Sequence, residues 1–144
     1  MILEFKIENF LSFKEKQTFS FEATSDKHLE DYYCVEVKPG VRILKMGIIY
    51  GANASGKTNL LKAFDVLRGM VYSIYNNYRG KHDKTGFTTF KFDKEYDKKP
   101  GSFELIFFIG SVKYNYSVKL DEFKIYEEKL SYYPSTQPAE CRPR

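Results

Sequence analysis

Residues 51–58 read Gly-Ala-Asn-Ala-Ser-Gly-Lys-Thr, which satisfies the spacing G-x-x-x-x-G-K-[ST]. No other stretch of the chain ties so much backbone geometry to so few residues. Gly51 and Gly56 allow main-chain angles that other residues avoid and let the backbone come close to a ligand, so successive N–H groups point into one anion-binding concavity. Lys57 then supplies a point charge for the β- and γ-phosphates of a nucleotide, and Thr58 a hydroxyl for Mg²⁺. Ala52, Ala54 and Ser55 are small enough to leave the backbone open. Ordinary residue usage produces the four fixed positions on the order of once per couple of hundred chains of this length. The flanking sequence therefore has to decide.

The flanks agree with a strand, tight loop, helix arrangement. Val41 to Tyr50 is a nearly continuous apolar run (Ile43, Leu44, Met46, Ile48, Ile49), the pattern of a parallel strand covered on both faces. After the loop, Leu60, Phe64, Leu67, Val71, Ile74 and Tyr78 recur at steps of four and three, which predicts a helix from about 57 to 77 with one apolar face. Residues 41–80 carry six basic side chains and one acidic, Asp65, within a chain of net charge +4. That local excess favours an anionic ligand near the loop.

The remainder reads mostly as β-structure. Leu3, Phe5 and Ile7 alternate with Glu4, Lys6 and Glu8, and Phe19 and Phe21 repeat the pattern, so two half-buried strands are expected. A polar loop over 23–31 precedes a short strand from Tyr33 to Val37, stopped at Pro39-Gly40. Phe87 to Phe92 is a candidate strand, and Asp93 to Gly101 a turn-rich, mobile loop. Phe103, Leu105, Phe107 and Ile109, then Val112, Tyr114, Tyr116, Val118 and Leu120, alternate around Gly110-Ser111, a two-residue hairpin turn. A last strand runs from Phe123 to about Leu130. Residues 134–144 lack periodicity and read as an irregular or truncated tail. At 144 residues the chain is one domain or most of one. It has no apolar stretch long enough for a membrane span, its start has no secretory signal, and Cys34 and Cys141 are too few for a disulfide framework. A cytoplasmic setting is expected.

The loop continues as G-A-N-A-S-G-K-T-N-L-L, and the chain opens with Ile7-Glu8-Asn9-Phe10-Leu11-Ser12-Phe13. Both features resemble the ABC-class, AAA-type ATPases of the SMC, RecF and overcoming-lysogenization-defect (OLD) group, which act in DNA repair and phage defence. The resemblance covers residues 1–133 in order. It implies an α/β P-loop NTPase first lobe over 1–133: a mixed sheet, a long helix after the loop at 51–58, and an antiparallel β layer over 87–133. It also implies ATP and Mg²⁺ as cofactors, held by Gly51, Asn53, Ala54, Ser55, Gly56, Lys57, Thr58 and Asn59, with Lys57 catalytic and Thr58 on the metal. The partners it implies are a second protomer, and DNA or an effector nuclease or toxin subunit.

The sequence departs from that group in two places. Leu11 stands where many members carry a basic residue, and no apolar strand ending in Asp-Glu follows the loop. Asp65-Val66-Leu67 falls inside the expected helix. The expectation is accordingly an amino-terminal part of a longer ATPase that binds nucleotide but does not turn it over alone. A non-hydrolysing regulatory or scaffold module is the alternative, and a small kinase or GTPase fits less well. Secondary candidates are Asn9, Ser12 and Phe13 beside the base or ribose, a tyrosine set (Tyr72, Tyr75, Tyr78, Tyr114, Tyr116) for base stacking, and Gln137 as a Mg²⁺-sensing side chain. His28 and His82 read as surface residues, and Gln17 and Gln137 are the only glutamines.

Overall fold

The structure, a computed structural model, describes residues 1–71, 84–134 and 139–141. Strand β1 (Ile2–Glu8) buries alternate residues, as its sequence requires, with Phe5 and Ile7 fully enclosed. It pairs on one side with β2 (Gln17–Ser20) and on the other with β5 (Gly101–Ile109). β5 turns into β6 (Val112–Leu120) with Ile109 opposite Val112, and Gly110 adopts φ +57 in the turn, a conformation open to glycine at little cost. β7 (Ile125–Tyr133) follows, then β8 (Ala139–Cys141). The order is β2-β1-β5-β6-β7-β8, with every ladder antiparallel.

Helix α2 (Lys57–Val71) supplies the second layer. Its buried residues Leu60, Ala63, Val66 and Leu67 join Phe5, Ile7, Phe10, Phe87, Phe103, Tyr116, Val118 and Leu120 in the main core. Aromatic contacts dominate this core: the Phe5 and Phe64 rings lie 4.2 Å apart, and Phe10, Phe87 and Phe103 are mutually in contact at 5.1–5.3 Å. Such pairs contribute about 0.5–1.5 kcal/mol each beyond the area they bury. A smaller cluster of Leu3, Ile43, Ile106 and Phe108 forms past a bulge at Ile2/Glu4. There the hairpin of β3 (Cys34–Lys38) and β4 (Val41–Leu44) packs, preceded by a single helical turn, α1 (Glu30–Tyr33).

Five sequence expectations change. The strand expected over 41–50 ends at Leu44, where β4 pairs antiparallel with β3. Met46, Ile48, Ile49 and Tyr50 are exposed, because no described strand offers them a parallel ladder, so the sheet is antiparallel and not mixed. Phe87–Phe92 is not a strand: Phe87 is core and Thr89 is buried, but the backbone is held by other partners, Leu11 N–H donating to Thr88 O and Phe90 N–H to Asn9 Oδ1. The loop over 93–101 is anchored and includes a helical turn, α3 (Lys94–Asp97), whose N-cap Asp93 accepts from Glu95 N–H. Residues 139–141 of the expected tail return as a strand on β7, Tyr132 opposite Ala139. Helix α2 is described to Val71, which is exposed; its core-facing side chains are Leu60, Ala63, Phe64, Val66, Leu67 and Met70. Positions 72–77 of the expected helix, with Tyr72, Tyr75 and Tyr78, and also His82 and Gln137, lie outside the described residues.

Candidate phosphate-binding site

The 51–58 loop is exposed from Gly51 to Ser55 and runs straight into α2. Ser55 N–H closes a turn onto Ala52 O at 3.3 Å, and the first helical carbonyl, Gly56 O, accepts from Asn59 and Leu60 N–H at 2.9 and 3.2 Å. The N–H groups of Lys57 and Thr58 therefore precede the first intrahelical donor and face outward from the helix end. No acidic residue occupies the first turn of α2, so the positive end of the 15-residue helix dipole is not neutralised locally.

Two devices fix the loop. At its entry, the Lys57 ammonium folds back to donate to Gly51 O at 2.8 Å, Ala52 O at 2.7 Å and Ser55 Oγ at 3.4 Å. At its exit, Gly56 has φ +92, and a Cβ there would come within 2.9 Å of Ser12 Oγ. Glycine is required at Gly56 on both counts. Gly51 has no positive φ; a Cβ there would stand 3.1 Å from Ser55 Oγ, a close approach that the exposed hydroxyl can relieve by a small shift. The left-handed angle expected at the first glycine is carried instead by Ala54, φ +63.

The Asn9–Phe13 turn packs directly against this exit. Asn59 Nδ2 donates to Ser12 Oγ at 2.9 Å, across 47 residues of sequence. The turn is itself rigid: Phe10 and Phe13 exchange backbone hydrogen bonds at 2.9 and 2.8 Å, and Asn9 N–H donates to Lys14 O at 3.2 Å. Asn9 is instead built into the fold. It is buried at 2% exposure, and its amide is fully used, Nδ2 donating to Tyr96 O and Lys99 O at 2.8 Å each while Oδ1 accepts from Phe90 N–H at 3.1 Å. Its φ of +52 suits asparagine. Phe13 is half-buried, edge-on to Phe19 at 5.9 Å. Of the three turn residues, only Ser12 is exposed beside the loop.

Other candidates resolve into structural roles. Lys14 pairs with Asp93 at 2.9 Å and sits 4.9 Å from the Tyr96 ring; its hydrogen bond, with that of Glu95 N–H, holds the Asp93 carboxyl below the usual carboxylate range. Tyr116 is core and donates to Glu128 Oε1 at 2.6 Å; burial first, then that carboxylate, push its phenol well above the ordinary value. It offers no ring face for stacking. Tyr114 is stacked between Phe107 and Tyr132 at 5.3 and 6.2 Å. Asp65 lies on the outer face of α2, 3.1 Å from Arg68, and His28 and Gln17 are surface residues. The role that sequence reasoning missed is the clamp formed by Asn9; its only signal is an asparagine between two alternating strands.

The model of the family described as "AAA domain, putative AbiEii toxin, Type IV TA system" matches residues 48–140, from the segment before the loop through β8. The chain belongs to that family and is an AAA-type, P-loop ATPase-like domain. No curated protein and no solved structure matches it. Among the described residues, no helix is long and apolar enough to cross a membrane.

Proposed function

We propose that this AAA-family chain binds ATP with Mg²⁺ through residues 51–59, and that it stands with the SMC, RecF and OLD-like ATPases of DNA repair or anti-phage defence. The observation that carries the nucleotide reading is the exposed loop whose outward N–H groups, Lys57 ammonium and unopposed helix end converge at one place. The triphosphate would lie against the backbone of Asn53, Ala54, Ser55 and Gly56. Lys57 would exchange a carbonyl partner for a phosphate oxygen, a charge-assisted and stronger bond. The exposed Thr58 hydroxyl, one residue into α2, fits a Mg²⁺ ligand. The ion when bound neutralises charge between the β- and γ-phosphates.

Residues 51–59 contain no carboxylate and no imidazole, so what they supply is binding, not a base for water. This favours a nucleotide-gated module, hydrolysing only where further groups face the phosphates or serving as a non-hydrolysing regulator. A dimer with nucleotide at its interface, and DNA or a toxin or nuclease subunit as the controlled element, are the partners this reading assigns. The family's own description, with its toxin and toxin–antitoxin terms, supports the defence setting. The test is calorimetry of Mg-ATP with wild type, Lys57→Ala and Thr58→Ala. Lys57→Ala is expected to lose binding while staying folded, its urea midpoint falling only slightly, since the bonds this half-buried lysine gives up steady an exposed loop and not the core. Thr58→Ala is expected to lose the Mg²⁺ dependence. Equal affinity in wild type and Lys57→Ala refutes the reading.

A further inference from the structure

Ser12 belongs to none of the loop motif, yet its hydroxyl meets the loop's exit from outside, with the Phe13 ring edge beside it. Its Oγ accepts from Asn59 Nδ2 at 2.9 Å and lies 2.9 Å from where a Cβ on Gly56 would stand. It therefore fills the space beside Gly56, where a side chain would stand, and is bonded to the first turn of the helix that follows. The element that presents it is immobilised from below: Phe10 and Phe13 bridge each other, Leu11 N–H is held by Thr88 O at 3.0 Å, and Asn9 ties the turn to Phe90, Tyr96 and Lys99. Leu11, at φ +50, turns the chain so that residue 12 projects from this clamp. A rigid turn whose one exposed polar side chain is bonded to the first turn of α2 is a positioning device.

We propose that Ser12 is a positioning residue for the nucleotide. Acting through Asn59 and against Gly56, it holds the loop exit and the start of α2 in the geometry in which the N–H groups of Gly56, Lys57 and Thr58 converge on phosphate. The proposal rests on the ATP reading above and deepens it, because it makes the β1–β2 turn, outside the family-matched residues 48–140, part of the nucleotide site. A hydrogen bond of this kind sets the loop's population in the binding geometry, and the competent fraction scales affinity directly.

The experiment is a mutant cycle read by Mg-ATP calorimetry, with urea denaturation on every variant. Ser12→Ala is expected to weaken Mg-ATP about three- to tenfold, the range one net hydrogen bond gives, without moving the urea midpoint. Ser12→Thr keeps the hydroxyl and is expected to restore affinity to within about twofold. In an Asn59→Ala background, Ser12→Ala is expected to add nothing, since the two act as a unit. If Lys57→Ala abolishes binding but Ser12→Ala binds like wild type, or if Ser12→Ala and Asn59→Ala weaken it additively, the Ser12 proposal is overturned and the nucleotide site stands. If Lys57→Ala binds as well as wild type, the nucleotide reading fails and takes this proposal with it.

Discussion

The clamp at Asn9 makes a sharp prediction about stability. Replacing Asn9 by Ala removes three hydrogen bonds at once: Lys99 O and Phe90 N–H lose the Asn9 amide, while Tyr96 O is left with its backbone donor, Lys99 N–H at 3.1 Å. At about 0.5–1.5 kcal/mol net per bond the loss is about 1.5–4.5 kcal/mol, near the middle of that range because Asn9 is buried while its partners are half-buried or, at Lys99, exposed. Alanine at φ +52 adds about 1 kcal/mol that asparagine avoids. The expected total, about 3–5 kcal/mol, is a large part of the ~5–15 kcal/mol that holds a domain together. In urea, with a slope near 2 kcal/mol/M, the midpoint should fall by about 2 M. Two further variants separate the terms. Asn9→Gly loses the bonds but not the backbone fit and should fall less far than Ala. Asn9→Asp keeps the shape and one acceptor but turns a carboxylate toward two carbonyls, and should be at least as damaging as Ala. An Asn9→Ala midpoint within about 0.5 kcal/mol of wild type, or a tolerated Asp, would refute the assignment of Asn9 as the residue that ties the 88–99 segment to the sheet.

Gly101→Ala should be poorly tolerated, because its Cβ would fall 2.3 Å from Phe87 Cζ, 2.6 Å from Glu8 O and 2.8 Å from Asn9 O; a loss of about 1–3 kcal/mol or more is expected from overpacking, read by the same urea titration. Gly56→Ala should weaken Mg-ATP by calorimetry and cost about 1–2 kcal/mol of stability from its left-handed backbone, whereas an unchanged affinity would show that the loop exit does not contact phosphate. Stability should also decline in acid. Glu104, which burial pushes up but which the Lys6 hydrogen bond and charge, with Asn115 and Lys16, hold below the usual range, and Asp93, Asp97 and Asp121, also lowered, all bind protons less readily when folded. Their contribution is complete above the unfolded carboxylate values near pH 4–4.5 and is lost as pH falls through the lower folded ones. Thermal melts from pH 6 to pH 2 should show the drop, and Lys6→Met should shrink it.

Elements built on local periodicity were legible in the sequence. Alternation over 103–120 placed β5, the Gly110 turn and β6 in their observed register, and the steps of three and four after Thr58 placed α2. The 84–100 segment was not legible. Phe87 and Thr89 are buried as a strand's residues would be, but the segment is held at Phe90 N–H by the Asn9 side chain, some eighty residues away, a contact to which no period points. The strand at 139–141 was hidden for a related reason: three residues pairing at an edge need no hydrophobic alternation, only the unpaired backbone of Leu130 to Tyr132. Within the site, the motif named candidate phosphate-facing residues but not the partners of the loop. Ser12 and Gly56 are brought together by the fold of β1 and β2, and nothing near residue 56 announces it.

The segment Met46–Tyr50 shows where composition stops being sufficient. Its apolar run encodes a need for burial but not the supplier, and a strand forms only where a neighbour offers N–H and C=O groups in register. Ile43 is fully buried under the second cluster, yet from Met46 the exposed side chains reach 91% at Tyr50. The phosphate loop thus hangs from a segment that has no ladder to steady it. Its geometry must be set elsewhere, and the structure provides both points of support: the Lys57 ammonium bound to the carbonyls of Gly51 and Ala52 at the entry, and Ser12 with Asn59 at the exit. On the proposed nucleotide reading, the first would be surrendered in part as Lys57 turned to a phosphate, whereas the second would not. The β1–β2 turn would then be the support that persists with nucleotide bound, which is why a hydroxyl outside the motif should matter to affinity.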